Sequence, residues 1–141
     1  MIDVYNYIFT QVYNGVVTDT PTCKVAEGYP PVSSTFPIVT VNEIDNSTLE
    51  YSQDNDLKEH HARVSIGIEV YANGEDKKAT ATHLAKLVDN LMQNLKFTRT
   101  MKAPMPNIDD SIYRITLRYT AIVGEPKEVN GNTVYQIYRR Q

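Results

Sequence analysis

Apolar and polar residues alternate between positions 62 and 71. Val64, Ile66, Ile68 and Val70 fall on one parity, and Arg63, Ser65, Gly67, Glu69 and Tyr71 on the other. Successive side chains of a strand point to opposite faces, so this pattern predicts a strand with one face for a core and one polar face. Positions 112–123 repeat it: Tyr113, Ile115, Leu117, Tyr119 and Ala121 alternate with Arg114, Thr116, Arg118 and Thr120. A further strand is expected at 38–43, after Pro37, with Val39 and Val41 facing one way and Thr40 and Asn42 the other. Asn130-Gly131, set between Glu128-Val129 and Asn132-Thr133-Val134, is a hairpin signal, because this dipeptide accepts the positive φ angles of a type I′ turn.

Two stretches instead repeat at spacings of three and four. In 3–17, Tyr5, Ile8, Phe9, Val12 and Val16 share one helical face, Asp3 can cap the start, and Gly15 weakens the last turn before Thr18-Asp19-Thr20-Pro21 ends it. In 75–96, Leu84, Leu87, Val88, Leu91 and Leu95 form one stripe, with Asn73 as a cap and Glu75 and Asp76 in a first turn that favours negative charge. The remainder reads as irregular at 23–34 around Pro30-Pro31, a turn at Asp45-Asn46-Ser47, a short strand at 49–51, and loops at 53–59 and 98–110. The order predicts an α+β fold in two layers: an antiparallel-leaning sheet packed on one face by two helices, with a C-terminal β-hairpin. All 141 residues fit one domain, 1–141.

Composition narrows the function. Fourteen Lys and Arg against 17 Asp and Glu leave a net charge of −3, with no basic excess to make nucleic-acid backbone binding the main role. A lone cysteine, Cys23, forms no internal disulfide and no zinc cluster. No basic-then-apolar leader opens the chain, and no apolar run approaches the roughly 20 residues that span a bilayer. Ten Tyr, three Phe and no Trp suit either an interface or simple strand propensity.

Candidate chemistry is sparse. His60 and His61 beside Glu59 are adjacent on an extended chain and so point apart, and His83 has no second histidine four residues away. Asp54, Asp56 and Glu59 lack the glycine and distal Glu of a calcium loop. Asp109-Asp110 could do acid–base work, but such pairs more often form turns or partner Arg. Cys23 has no nucleophile signature, and no phosphate loop or GxSxG elbow occurs. These features predict no enzyme, no cofactor and no metal. The polar strand face, carrying Arg63, Arg114 and Arg118, is either solvated and paired to Glu69 or an intersubunit surface, since Arg and Tyr are enriched at interfaces. Arg63, Glu69, Tyr71, Arg99, Asp109, Asp110, Arg114 and Arg118 are the candidate interface residues.

A helix, then Tyr29-Pro30-Pro31 to Phe36-Pro37, then Pro-Ile-Val-Thr-Val-Asn-Glu at 37–43 resembles the opening of the tail-terminator (tail-completion) proteins of long-tailed bacteriophages. So do the strand at 64–71, Lys77-Lys78-Ala79, Phe97-Thr98-Arg99, and Pro106-Asn107-Ile108-Asp109-Asp110 leading into Tyr113-Arg114-Ile115-Thr116-Leu117-Arg118-Tyr119. The resemblance covers most of 1–124 and is carried by strand and loop patterns. It implies a virion protein, assembled in the host cytoplasm, whose copies form a homo-oligomeric ring, usually a hexamer. That ring caps the head-proximal end of the tail tube, stops addition of tube protein, and offers a surface to the head–tail connector. DNA passes only through the lumen, and a mildly acidic subunit would not hold it. The alternatives are a neck or minor capsid component, and a small hydrolase or nuclease built on Asp109, Asp110 and a histidine.

Overall fold

A computed structural model describes residues 1–28, 36–48, 61–105 and 111–138. The expected short strand at 49–51, the loop at 53–59 with Asp54, Asp56 and Glu59, and His60, Asp109 and Asp110 lie outside them. The element order is α1 (Tyr5–Asp19), β1 (Lys24–Glu27), β2 (Ile38–Thr48), β3 (His61–Asn73), α2 (Lys77–Asn94), β4 (Thr98–Met105), β5 (Ile112–Val129) and β6 (Asn132–Tyr138). The strands form one sheet in the order β1-β2-β3-β5-β4, with β6 also paired to β5. All pairings are antiparallel except β1 with β2. The expected α+β class stands.

The core follows from the alternation. Val64, Ile66, Ile68 and Val70 are fully buried, and so are Leu117, Tyr119 and Val123 across the β3–β5 register. They pack against Ile8, Val12 and Val16 of α1 and Ala81, Leu84, Val88 and Met92 of α2. Burying each such aliphatic side chain stabilises the fold by about 1.5–3 kcal/mol. Truncating one, as in Ile68→Ala, would cost about 2–5 kcal/mol. In α2 the small Ala81 and Ala85 and the gap-filling Met92 reach the core, whereas Leu87, Leu91 and Leu95 only pack against its rim. Gly15 lets the helices approach there: a Cβ on it would stand 2.6 Å from both methyl carbons of Leu91.

Several expectations are corrected. Residues 24–27 are not irregular but form β1 alongside β2. Asp45-Asn46-Ser47 is not a turn: β2 runs on to Thr48, and the pairing shifts between Glu43 and Asp45 instead, as a bulge. Residues 98–105 are not a loop but the edge strand β4, with a second irregularity between Arg99 and Met101. Asn73 ends β3 and does not cap α2, whose N-cap is Asp76 without a side-chain bond. Asp3 does engage the start of α1, its carboxylate accepting from the Tyr5 N–H at 3.2 Å.

The Asn130-Gly131 hairpin forms as expected, with φ of 52° and 80° and Val129 opposite Asn132. β5 is longer than the alternation predicts. Beyond Gly124, where its pairing with β3 ends, it continues to Val129 with β6 alone. Tyr7 stacks on Tyr135, centroids 4.9 Å apart, and ties this arm back to α1.

Candidate interface on the second sheet face

The strand parity that does not face the helices brings Thr40, Asn42, Gly67, Glu69, Tyr71, Arg114, Thr116 and Arg118 onto one surface through the β2–β3–β5 register. Glu69 is its centre. Its carboxylate accepts from Arg114 Nη2, from the Tyr71 hydroxyl at 2.8 Å and from Thr116 Oγ1 at 3.2 Å. The guanidinium of Arg114 also stands over the Tyr71 ring, 5.6 Å from its centroid. Register explains the grouping: Glu69 opposes Thr116, and Tyr71 opposes Arg114, so the ion pair is a cross-strand diagonal. Burial pushes the Glu69 carboxyl up. The hydrogen bonds from Arg114 and Tyr71, the charge of Arg114 and the Thr116 hydroxyl outweigh it and hold the carboxyl below its ordinary value.

The face is less open than the alternation predicts. Ile38, Thr40, Tyr71, Thr116 and Thr120 are buried, and the Glu69 and Arg114 side chains keep only 16% and 25% of their exposure. Arg63 and Arg118 remain exposed, and among the described residues neither joins an ion pair. Arg118, Arg114, Glu69, Asn42 and Ile44 line a concavity of about 360 Å³. Gly67 forms its floor, where a Cβ would stand 2.9 Å from Ile44 Cδ1. Ile44, half exposed at the bulge of β2, is a surface apolar residue that alternation did not single out, because the register shift changes its neighbours.

Arg99 lies elsewhere. It opposes Tyr119 on the helix side, where its Nη1 meets Asp89 Oδ1 at 3.0 Å. The same carboxylate accepts from the Tyr119 hydroxyl at 2.9 Å and from Gln93 Nε2 at 2.7 Å. Burial first, then the bond to Asp89 and its charge, push the Tyr119 hydroxyl far above its ordinary pKa. Sequence reading missed Asp89, since two of its partners, Arg99 and Tyr119, come from β4 and β5, and helical periodicity does not reveal which strands meet that side of α2. Tyrosine is likewise spent inside the fold: Tyr5 donates to the Val41 carbonyl at 2.6 Å, while Tyr7, Tyr71 and Tyr119 are engaged as described. Tyr13 and Tyr138 are the large exposed ones among the described residues.

The other candidates stay apart. His83 Nε2 meets Asp19 Oδ2 at 2.7 Å, joining α2 to the end of α1, and His61 lies near the Tyr138 ring. Cys23 is buried, and that burial pushes its thiol up to about 11, which disfavours the nucleophilic thiolate. Among the described residues no group of three His, Cys, Asp or Glu side chains is placed to hold a metal ion. No helix among them is long and apolar enough to cross a membrane.

These features define a two-layer α+β protein whose sheet keeps an arginine-bearing face beside its packed one. Among solved structures, the chain is similar to the gp17 protein of bacteriophage SPP1, with a TM-score of 0.42 and 11% identity, covering 92% of this chain and 94% of that one. No protein-family profile matches the chain, and no curated protein sequence matches it.

Proposed function

We propose that the protein is a structural virion-assembly subunit of a long-tailed bacteriophage, a tail terminator. Its copies close into a ring, a hexamer in this reading, on the head-proximal end of the tail tube. The ring stops addition of tube protein and meets the head–tail connector, with DNA passing through its lumen. The sequence resemblance supports this reading. The observation that supports an assembly role is the second sheet face. At its centre the Glu69 carboxylate is hydrogen-bonded to Arg114 and Tyr71 of its own chain, Arg118 stands exposed beside a concavity, and Arg63 is exposed further along the same face. A hydrogen-bonded centre has less conformational entropy left to lose on docking, and exposed arginines around it can reach the carboxylates of a protein partner. It fits a protein partner better than a reaction, and the proposal assigns no catalytic residue.

The experiment is direct. Purified protein is added to growing tail tubes and followed by electron microscopy and by tube length. The expected result is a cap on one end and arrested growth. Tubes that elongate unchanged with both ends bare would overturn the terminator role. Binding to the connector alone would make the protein a neck component.

A further inference from the structure

The two outer edges of the sheet carry opposite charge. β1 and β2 bear Glu27, Glu43 and Asp45 against one lysine, Lys24, and all four are exposed. Glu27 opposes Val41, two residues before Glu43 and on the same side of the sheet, so both carboxylates lie on the side where the Tyr5 hydroxyl donates to the Val41 carbonyl. β4, at the opposite edge, bears Arg99 and Lys102 and no acid. Lys86 of α2 joins them around a depression of about 200 Å³. Asp89 in that depression is already engaged by Arg99, Tyr119 and Gln93, so the exposed Lys86 and Lys102 set the charge of the edge.

Distance keeps the two sets from neutralising each other. The order β1-β2-β3-β5-β4 puts the edges four strand spacings apart, roughly 19 Å at about 4.8 Å each. The Debye length is about 8 Å at physiological salt. Opposite charges separated by more than twice that length attract weakly within one molecule, but a second copy can bring them into contact. β4 is also a poor template for strand addition, because Pro104 has no N–H and the pairing is irregular at Arg99. That edge therefore offers charge in place of an open ladder.

From this we infer that copies of this chain associate head to tail through their sheet edges, the Lys86/Lys102 edge of one copy against the Glu27/Glu43 edge of the next. Such a contact is heterologous and closes into a ring when its rotation permits. It rests on the ring reading above and deepens it by naming the surfaces that meet.

The test uses the full chain and two charge-reversed variants, K86E/K102E and E27K/E43K, each checked for an unchanged melting curve. Association is read as native mass over a concentration series at low and high salt. Wild type associates at low salt and weakens as salt rises. Each variant alone weakens by on the order of a hundredfold at low salt, because like charges then face each other. Mixing the two variants restores association, since every contact again pairs opposite charges, and so does the quadruple variant alone. Wild type that stays monomeric at low salt, or variants that associate as well as wild type, would overturn the inference while tube capping still tests the terminator role. Association that follows the charge rules from a protein that caps no tube would overturn the terminator role and leave the edge contact standing.

Discussion

Replacing Glu69 by glutamine tests whether the ion pair organises the second face. The amide keeps the shape and can still accept from Tyr71 or Thr116, but it leaves the Arg114 guanidinium without its counter-charge. Removing one partner from a buried pair costs about 3–5 kcal/mol. These side chains retain 16% and 25% exposure, so water screens part of that and about 2 kcal/mol is expected. Unfolding entropy of about 2.1 cal/mol/K per residue makes this a fall of roughly 7 °C in Tm for a chain of this size. Urea titrations at neutral pH should show the loss in midpoint without a change of slope. The pH dependence has a definite sign. The Glu69 carboxyl is held below 4.5 in the fold, so its contribution is complete above that value. It is lost as pH falls through the lower folded-state value. The gap between wild type and E69Q should therefore close in acid. A gap under about 0.5 kcal/mol at neutral pH, or one that persists undiminished in acid, would refute the reasoning.

Tyr119→Phe removes a buried donor to Asp89 and should cost about 1–2 kcal/mol by urea titration, since Arg99 and Gln93 still serve that carboxylate. Gly15→Ala gains about 1 kcal/mol of helix propensity but meets Leu91 at 2.6 Å, an overpacking cost of about 1–3 kcal/mol. Melting should show net destabilisation in wild type and net stabilisation in a Leu91→Ala background. Reversing Arg63 and Arg118 together, both exposed, should change stability by less than about 0.5 kcal/mol yet abolish tube capping in the length assay.

The elements that carry their own periodicity were legible in the sequence. β3 and β5 alternate because each has one face on the helices, α2 shows its stripe, and Asn130-Gly131 announces its turn. The edge strands were not. Lys24–Glu27 is too short to show a period, and Pro104 and an irregular register disguise β4 as a loop. Their strand character comes from the neighbour's hydrogen bonds rather than from their own residues. Asp45-Asn46-Ser47 has the composition of a turn, but the bulge after Glu43 absorbs it into β2. In the site, the pairing of Glu69 with Arg114 followed from shared parity. The capture of Arg99 by Asp89 did not, since it depends on how α2 lies against β4.

That difference separates two kinds of arginine on this molecule. Arg114 and Arg99 are held by carboxylates of their own chain, and their charges are largely spent on the fold. Arg63 and Arg118 are exposed on the second face, and among the described residues no carboxylate neutralises them. In a ring built edge to edge by rotation, every copy turns its second face to the same side. The two arginines would then repeat around one surface of the ring as a band of positive charge. Such a band facing the lumen would grip DNA phosphates and add a salt-dependent drag to passage. In the proposed ring, a subunit that lets DNA through would turn this band away from the lumen. The sheet's other face is covered by its own helices, so in the proposed ring the arginine face would be the sheet surface that meets the tube or the connector.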